Sequence, residues 1–115
     1  MKAMLKGLAC DEVDVDNYKP ADSDCFNIRL IARIGPSDHE GSDYFEFYVC
    51  TADWLRNNIN YSFWGRNHLV VKEFDIMEIR NAIEILIEAN EAETWSGVAK
   101  KLSAYMSWEY EDYTS

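Results

Sequence analysis

Residues 64–90 read WGRNHLVVKEFDIMEIRNAIEILIEAN, and this stretch contains the clearest change of hydrophobic period in the chain. The short run Leu69-Val70-Val71 predicts a strand. It is followed by apolar residues at spacings of three and four, which form one stripe on a helix: Ile76, Ile79, Ile83, Leu86 and Ile87. Asp75 lies at the junction with Glu78 three residues later, so we predict an acidic N-cap that resembles a capping box. A strand therefore leads directly into an amphipathic helix, which needs a sheet face to cover.

The first half of the chain supplies strands for that sheet. Residues 1–10 and the alternating segment 25–34 predict two strands, and residues 44–50 predict a third that returns from the second as an antiparallel hairpin. The side chains of the third strand expected to face the core are Phe45, Phe47 and Val49. Segment 108–113 alternates aromatic and acidic residues, which indicates an extended end with its rings turned inward.

Two further helices and an aromatic segment complete the prediction. Thr51 is expected to cap a short helix, and Thr94 to cap a last helix whose apolar face we extend to Met106. Between the short helix and the central strand, residues 61–67 read YSFWGRN. Such a cluster can be a ligand cradle, but we interpret it as core packing under a loop, with Gly65 permitting a strained turn.

These elements predict one domain over residues 1–115 with an α+β fold. The expected architecture is an antiparallel sheet of about four strands, packed against two longer helices and one short helix. A chain of 115 residues is long enough to bury one hydrophobic core.

The formal net charge is −10, from 21 acidic and 11 basic side chains. A strongly acidic protein repels nucleic-acid phosphates and anionic membrane surfaces, so we expect neither as a partner. A basic protein would instead be steered towards it, although solubility alone also explains such a charge. The most acidic segment, residues 11–24, is predicted to be a surface loop. A weak calcium site is the alternative there, but the segment lacks EF-hand spacing.

Little in the sequence points to catalysis or to a metal. Cys10, Cys25 and Cys50 have no CxxC spacing and are expected to be reduced thiols. The two histidines, His39 and His68, stand in no nucleophile–base motif, and a zinc site needs about four ligands. We therefore predict no enzymatic activity, no metal and no cofactor. No apolar stretch approaches a membrane span and no secretion signal is evident, so the cytoplasm is the expected location.

Four segments taken together resemble a known family. They are residues 1–3, CTADWL at 50–55, GRNHLVV at 65–71 and WEYEDY at 108–113. Their order and spacing, with Glu93-Thr94-Trp95 at the start of the last helix, resemble the immunity protein 8 family of bacterial polymorphic toxin systems. The resemblance implies a small cytosolic α+β protein that binds and neutralises a cognate toxin domain delivered by a neighbouring cell, as in contact-dependent growth inhibition. It carries over no catalytic residue.

The resemblance also separates core residues from contact residues. The shared aromatic and glycine positions look like fold determinants, so we expect them in the core and not at the toxin: Trp54, Trp64, Gly65, Trp95 and Trp108. A toxin that attacks nucleic acid would carry a basic cleft, so we assign partner binding to the acidic segments. The assigned residues are Asp14, Asp16, Tyr18, Asp22, Asp24, Glu109, Glu111, Asp112 and Tyr113.

In this interpretation Tyr18 or Tyr113 would supply an aromatic anchor beside the carboxylates. The free protein is expected to be a monomer. The alternative function is a small cytosolic regulatory or interaction module that has no toxin partner.

Overall fold

A computed structural model describes residues 1–112 of the chain. Its elements in chain order are β1 (Ala3–Ala9), β2 (Asn27–Pro36), β3 (Asp43–Thr51), α1 (Ala52–Asn58), β4 (His68–Val71), α2 (Ile76–Ala89), α3 (Trp95–Leu102) and β5 (Ser107–Trp108). The α+β class is confirmed. The sheet has the strand order β1-β2-β3-β4, and β5 pairs with β3 beside β4.

The sheet is mixed, whereas the sequence indicated an antiparallel one. The pairs β1–β2, β2–β3 and β3–β5 are antiparallel, but β4 runs parallel to β3. The connection from β3 to β4 is long and contains α1, so it brings the chain back to the level of Tyr48 within β3 and permits parallel pairing.

The core lies on one face of the sheet, beneath α2 and α3. In the β2–β3 hairpin, Leu30 lies opposite Phe47 and Ile28 opposite Val49. All four side chains are buried, so alternate residues of both strands face the core. This confirms the inward residues predicted for β3. The helices contribute the following buried side chains: Ile79, Ile83 and Ile87 from α2, and Val98, Ala99 and Leu102 from α3. The opposite face of the hairpin is exposed or half-buried except at Gly35 and Cys50, which are buried.

The predicted helix starts are confirmed, because each N-cap side chain accepts a backbone N–H two or three residues later: Thr51, Asp75 and Thr94. The last helix is shorter than predicted and ends at Leu102. The chain then turns through residues 103–106, because Ser107 and Trp108 pair with Glu46 and Phe45 of β3. The extended end predicted over 108–113 is wrong after Trp108: residues 109–112 form turns, and Tyr110 is 45% exposed instead of turned inward.

The Asp43 carboxylate fastens the last part of the chain to β3. Its Oδ2 accepts hydrogen bonds from the indole N–H groups of Trp95 and Trp108, both at 2.9 Å. The Phe45 ring stacks on Trp108 with centroids 6.4 Å apart and meets Trp95 edge-on at 6.2 Å. Both tryptophans are half-buried and pack against the core, so their prediction as fold determinants is confirmed. Trp54 is also half-buried.

The core prediction is wrong for Trp64 and Gly65. Trp64 is 94% exposed, and every residue from 56 to 66 is exposed. Gly65 does not adopt a positive φ; that conformation falls on Asn67, at φ 71°. Asn is one of the few residues other than Gly that tolerate it. The aromatic segment therefore lies outside the core, and its turn is made two residues later than predicted.

The close approach of Gly35 to the β2–β3 connection gives a stability prediction. A Cβ at Gly35 would lie 2.2 Å from the Gly41 carbonyl oxygen and 2.9 Å from the Ser42 Cα. Because both neighbours are backbone, Gly35→Ala must displace the chain, and we expect it to lower the free energy of unfolding in urea by about 1–3 kcal/mol. Gly41→Ala is the matched control, since its Cβ would meet no atom within 4 Å. Equal stability of the two variants would contradict this packing.

The Asp43 bridge gives a second prediction. Asp43→Ala removes the acceptor of two half-buried indole N–H groups, so we expect thermal or urea unfolding to show a loss of about 2–4 kcal/mol. Trp108→Phe keeps a ring against Phe45 and loses one bond, so its cost should be smaller. The double variant should lose less than the sum of the two, because the two residues share a hydrogen bond. Strict additivity of the two losses would show that the Asp43–Trp108 hydrogen bond contributes nothing to stability.

Candidate partner-binding surfaces

The acidic loop, defined as residues 11–24, is built partly by its own carboxylates. Asp14 accepts a hydrogen bond from the Asp16 backbone N–H at 3.2 Å, and Asp22 accepts one from the Asp24 N–H at 3.0 Å. Asp16 also forms an ion pair with Arg80 of α2 at 2.9 Å. All four aspartates remain exposed. They can therefore present negative charge to a partner while they shape the loop.

Tyr18 is held against the body of the protein. Its ring meets Phe74 edge-on with centroids 5.0 Å apart, and it packs half-buried against the hydrophobic core. The neighbouring Val15 is 3% exposed and anchors the same loop in the core. The described contacts of Tyr18 are thus those of a loop support. Tyr113, the other aromatic anchor predicted from the sequence, lies outside the described residues.

The second acidic segment, residues 109–112, is tied to β3 and to the aromatic segment. A carboxylate oxygen of Glu109 accepts the Tyr44 backbone N–H at 3.0 Å. Glu111 forms an ion pair with Arg66, with Oε2 and Nη2 2.6 Å apart. Asp112 is exposed at the end of the described chain. Glu111 is therefore held at the end of the aromatic segment, whereas Glu109 is held at the start of β3.

The two acidic segments lie at opposite ends of β3. The acidic loop leads into Phe26, whose N–H donates to the Thr51 hydroxyl, whereas Glu109 bonds to Tyr44. Thr51 follows Tyr44 by seven positions along the strand, a distance of about 23 Å at roughly 3.3 Å per residue. The predicted site residues are therefore divided into two patches and not assembled into one.

A surface that the sequence analysis missed lies between these patches. Trp64 and Tyr105, which are 94% and 52% exposed, flank a groove of about 410 Å³. Side chains of α2 line it, including Ala82 and Leu86, together with Met106. We call this surface the Trp64 groove. Nearby, Tyr61 is 76% exposed, so the aromatic segment presents a large apolar area to solvent.

A signal for this exposure was present in the sequence. Asn57, Asn58, Asn60 and Ser62 are interleaved with the aromatic residues, and segment 57–66 has neither a helical nor a strand period. A buried loop would leave those amide groups without water and in need of partners. The polar interleaving therefore favours a solvated aromatic loop.

The base of the aromatic segment is firmly held. Arg66 donates from Nε to the Ser103 carbonyl at 2.8 Å and pairs with Glu111. Asn67 donates its backbone N–H to the Tyr105 carbonyl at 3.0 Å. Hydrogen bonds therefore join residues 66–67, which follow Trp64, to residues 103–105 beside the Trp64 groove.

His68 extends the aromatic surface onto the open face of the sheet. Its ring stacks on Tyr48 with centroids 5.4 Å apart and contacts Phe63 at 5.3 Å. Its Nδ1 lies 2.9 Å from the Arg66 carbonyl oxygen, which can only accept, so Nδ1 carries the proton. This histidine is thus engaged in ring packing and in the turn that precedes β4.

The remaining reactive groups show no assembled centre. Across residues 1–112, no group of three or more His, Cys, Asp or Glu side chains is placed to hold a metal ion. The three cysteines are free, and burial raises the pKa of the Cys50 thiol, which disfavours the reactive thiolate.

On the exposed β2–β3 connection, a hydrogen bond from His39 lowers the pKa of Asp38. None of the helices in the described part is long and apolar enough to span a membrane.

Comparison with known proteins gives one match. The sequence profile described as immunity protein 8 matches residues 3–113. Neither curated proteins nor solved structures give a match. The matched range begins with β1 and includes every strand and helix described above, so the similarity concerns the whole fold and not one motif.

The strained conformation of Asn67 yields a prediction about the base of the groove. Ala at φ 71° is disfavoured by its Cβ, whereas Gly is not. We expect Asn67→Ala to be less stable than Asn67→Gly by about 1 kcal/mol in urea unfolding. Both variants lose the bond from the Ser107 hydroxyl to Asn67 Oδ1, so their difference reports backbone strain less the greater unfolded-state entropy of Gly. If Ala were the more stable, the left-handed turn would be contradicted.

Proposed function

The chain belongs to the immunity protein 8 family, and from this premise we propose that it binds a cognate toxin domain and neutralises it by stoichiometric protein–protein binding. The observation that carries the proposal is the family match over residues 3–113. Inhibition by an immunity protein needs no catalysis, since covering the toxin's active site is sufficient. We further propose that it acts as a monomer in the cytoplasm of the cell that it protects.

The charge of the protein suggests which toxin it neutralises. A toxin domain that attacks nucleic acid carries a basic cleft for its substrate, and a protein of net charge −10 can cover that cleft and exclude the substrate. The acidic loop and residues 109–112 supply exposed carboxylates at two ends of the fold. Such complementarity mainly accelerates association, towards roughly 10⁸–10⁹ M⁻¹s⁻¹ at low salt.

The test requires a cognate toxin domain, which is sought among the genes adjacent to that of this chain. Its association with the immunity protein is measured by stopped flow at about 50 and 500 mM salt, where the Debye length falls from roughly 14 to 4 Å. We expect the wild-type rate to fall as the salt rises, because exposed charges are screened.

Three variants locate the steering charge. Each one replaces two exposed carboxylates by amides of the same shape and leaves the ion pairs of Arg66 and Arg80 intact: Asp14→Asn/Asp22→Asn in the acidic loop, Glu109→Gln/Asp112→Asn in the second segment, and Glu84→Gln/Glu88→Gln beside β1 as the control. At least one of the first two should associate more slowly at low salt than the control does.

The outcomes separate the parts of the proposal. If all variants and the wild type associate at one rate at both salts, the acidic surface does not steer the toxin. If the wild type fails to bind the toxin domain and fails to protect cells that express it, the immunity function is wrong. The regulatory or interaction module would then be the better interpretation.

A further inference from the structure

We propose that the Trp64 groove is the surface on which a basic face of the toxin domain docks, with an apolar toxin side chain inserted between Trp64 and Tyr105. This inference rests on the immunity function proposed above and deepens it by naming the contact surface. It replaces Tyr18 and Tyr113 as anchors with two residues that the sequence analysis did not assign to partner binding.

The exposure of Trp64 is the first argument. It is the most exposed large hydrophobic residue of the described chain, at 94%, so its ring takes almost no part in folding. Trp and Tyr are enriched among the few residues that dominate binding energy, because they desolvate a large area with little loss of side-chain freedom. Tyr105 and the apolar side chains of Ala82 and Leu86 line the same groove. A partner side chain placed there would be enclosed on several sides.

The rigidity of the groove is the second argument. The chain that follows Trp64 is joined to the chain around Tyr105 by two sets of bonds. The Asn67 N–H donates to the Tyr105 carbonyl, and Arg66 donates to the carbonyls of Ser103 and Met106. A surface already held in its binding shape loses less conformational entropy when the partner binds. The groove volume of about 410 Å³ lies near the lower end of the range for ligand pockets, roughly 300–1,000 Å³. This size suits a protruding side chain.

Charge identifies the chemistry of the partner. Arg66 is the one permanently charged cation among the described residues that line the groove, and its charge is balanced by Glu111 at 2.6 Å. Glu109 and Asp112 lie within two residues of Glu111 along the chain, and both are exposed. On α2, Glu78 precedes Ala82 by four residues and therefore lies on the same helical face. The groove is thus an apolar slot with an acidic border, complementary to an apolar side chain surrounded by Lys and Arg.

The experiment measures the dissociation constant for the same toxin domain by titration calorimetry. We expect Trp64→Ala to weaken binding at least about 30-fold, and Tyr105→Ala to weaken it by a smaller factor. The effect should appear in the dissociation rate and should persist at about 500 mM salt, in contrast to the amide variants above. The melting temperature of Trp64→Ala should equal that of the wild type, because its ring is exposed.

Met77→Ala is the matched control. Met77 is 71% exposed on α2, nine residues before Leu86 and therefore half a turn away around the helix. The Met77→Ala substitution removes exposed apolar area outside the groove, so the dissociation constant of this variant for the toxin domain should equal the wild-type value. Trp64→Lys is a second variant, which places a cation in the slot and should weaken binding to a basic toxin further than Trp64→Ala does.

The alternatives give different results. If the wild type binds the toxin and Trp64→Ala and Trp64→Lys bind equally well, the groove is overturned while the immunity function stands. If the wild type does not bind, the immunity function itself fails. A concentration-dependent dimer in sedimentation that Trp64→Ala abolishes would make a second copy of the chain the occupant, and would also overturn the inference.

Discussion

The end of the structure, from α3 onwards, depends on a single carboxylate, that of Asp43 at the start of β3. By accepting both indole N–H groups it fixes α3 and β5 on the sheet. The pairing of β5 carries the chain to Glu111, whose ion pair with Arg66 then reaches the base of the aromatic segment. A sequence of four contacts therefore connects the edge of the core to the Trp64 groove, so the shape of the groove is inherited from the packing of the fold.

Local features of the structure could be predicted from the sequence, because local chemistry produces them. The N-caps at Thr51, Asp75 and Thr94 need only a side-chain oxygen two or three residues before an N–H. The pairing of β4 and β5 with β3 could not be predicted in this way. His68–Val71 has the same composition whether it pairs parallel or antiparallel, and only the path of the connection decides between the two.

The candidate site divides along similar lines. Composition identified the acidic loop and Glu109–Asp112, but their separation along β3 follows from the topology and not from either segment. Aromatic residues serve both cores and interfaces, so the type of residue at position 64 could not decide between them. The structure distinguishes the two roles by burial. The indole N–H groups of Trp95 and Trp108 donate to Asp43, whereas Trp64 is exposed to solvent.

Residues 61–64 are exposed above a base held by Arg66 and Asn67, so they contribute little to folding. If the Trp64 groove binds the toxin domain as proposed, substitutions in this short run would change what the molecule recognises at little cost to its stability, since no core contact is lost. Proteins of this family that meet a different toxin could then acquire substitutions here one at a time without losing the fold. Relatives with different preferences are expected to diverge at these four positions sooner than at Arg66 or Asn67.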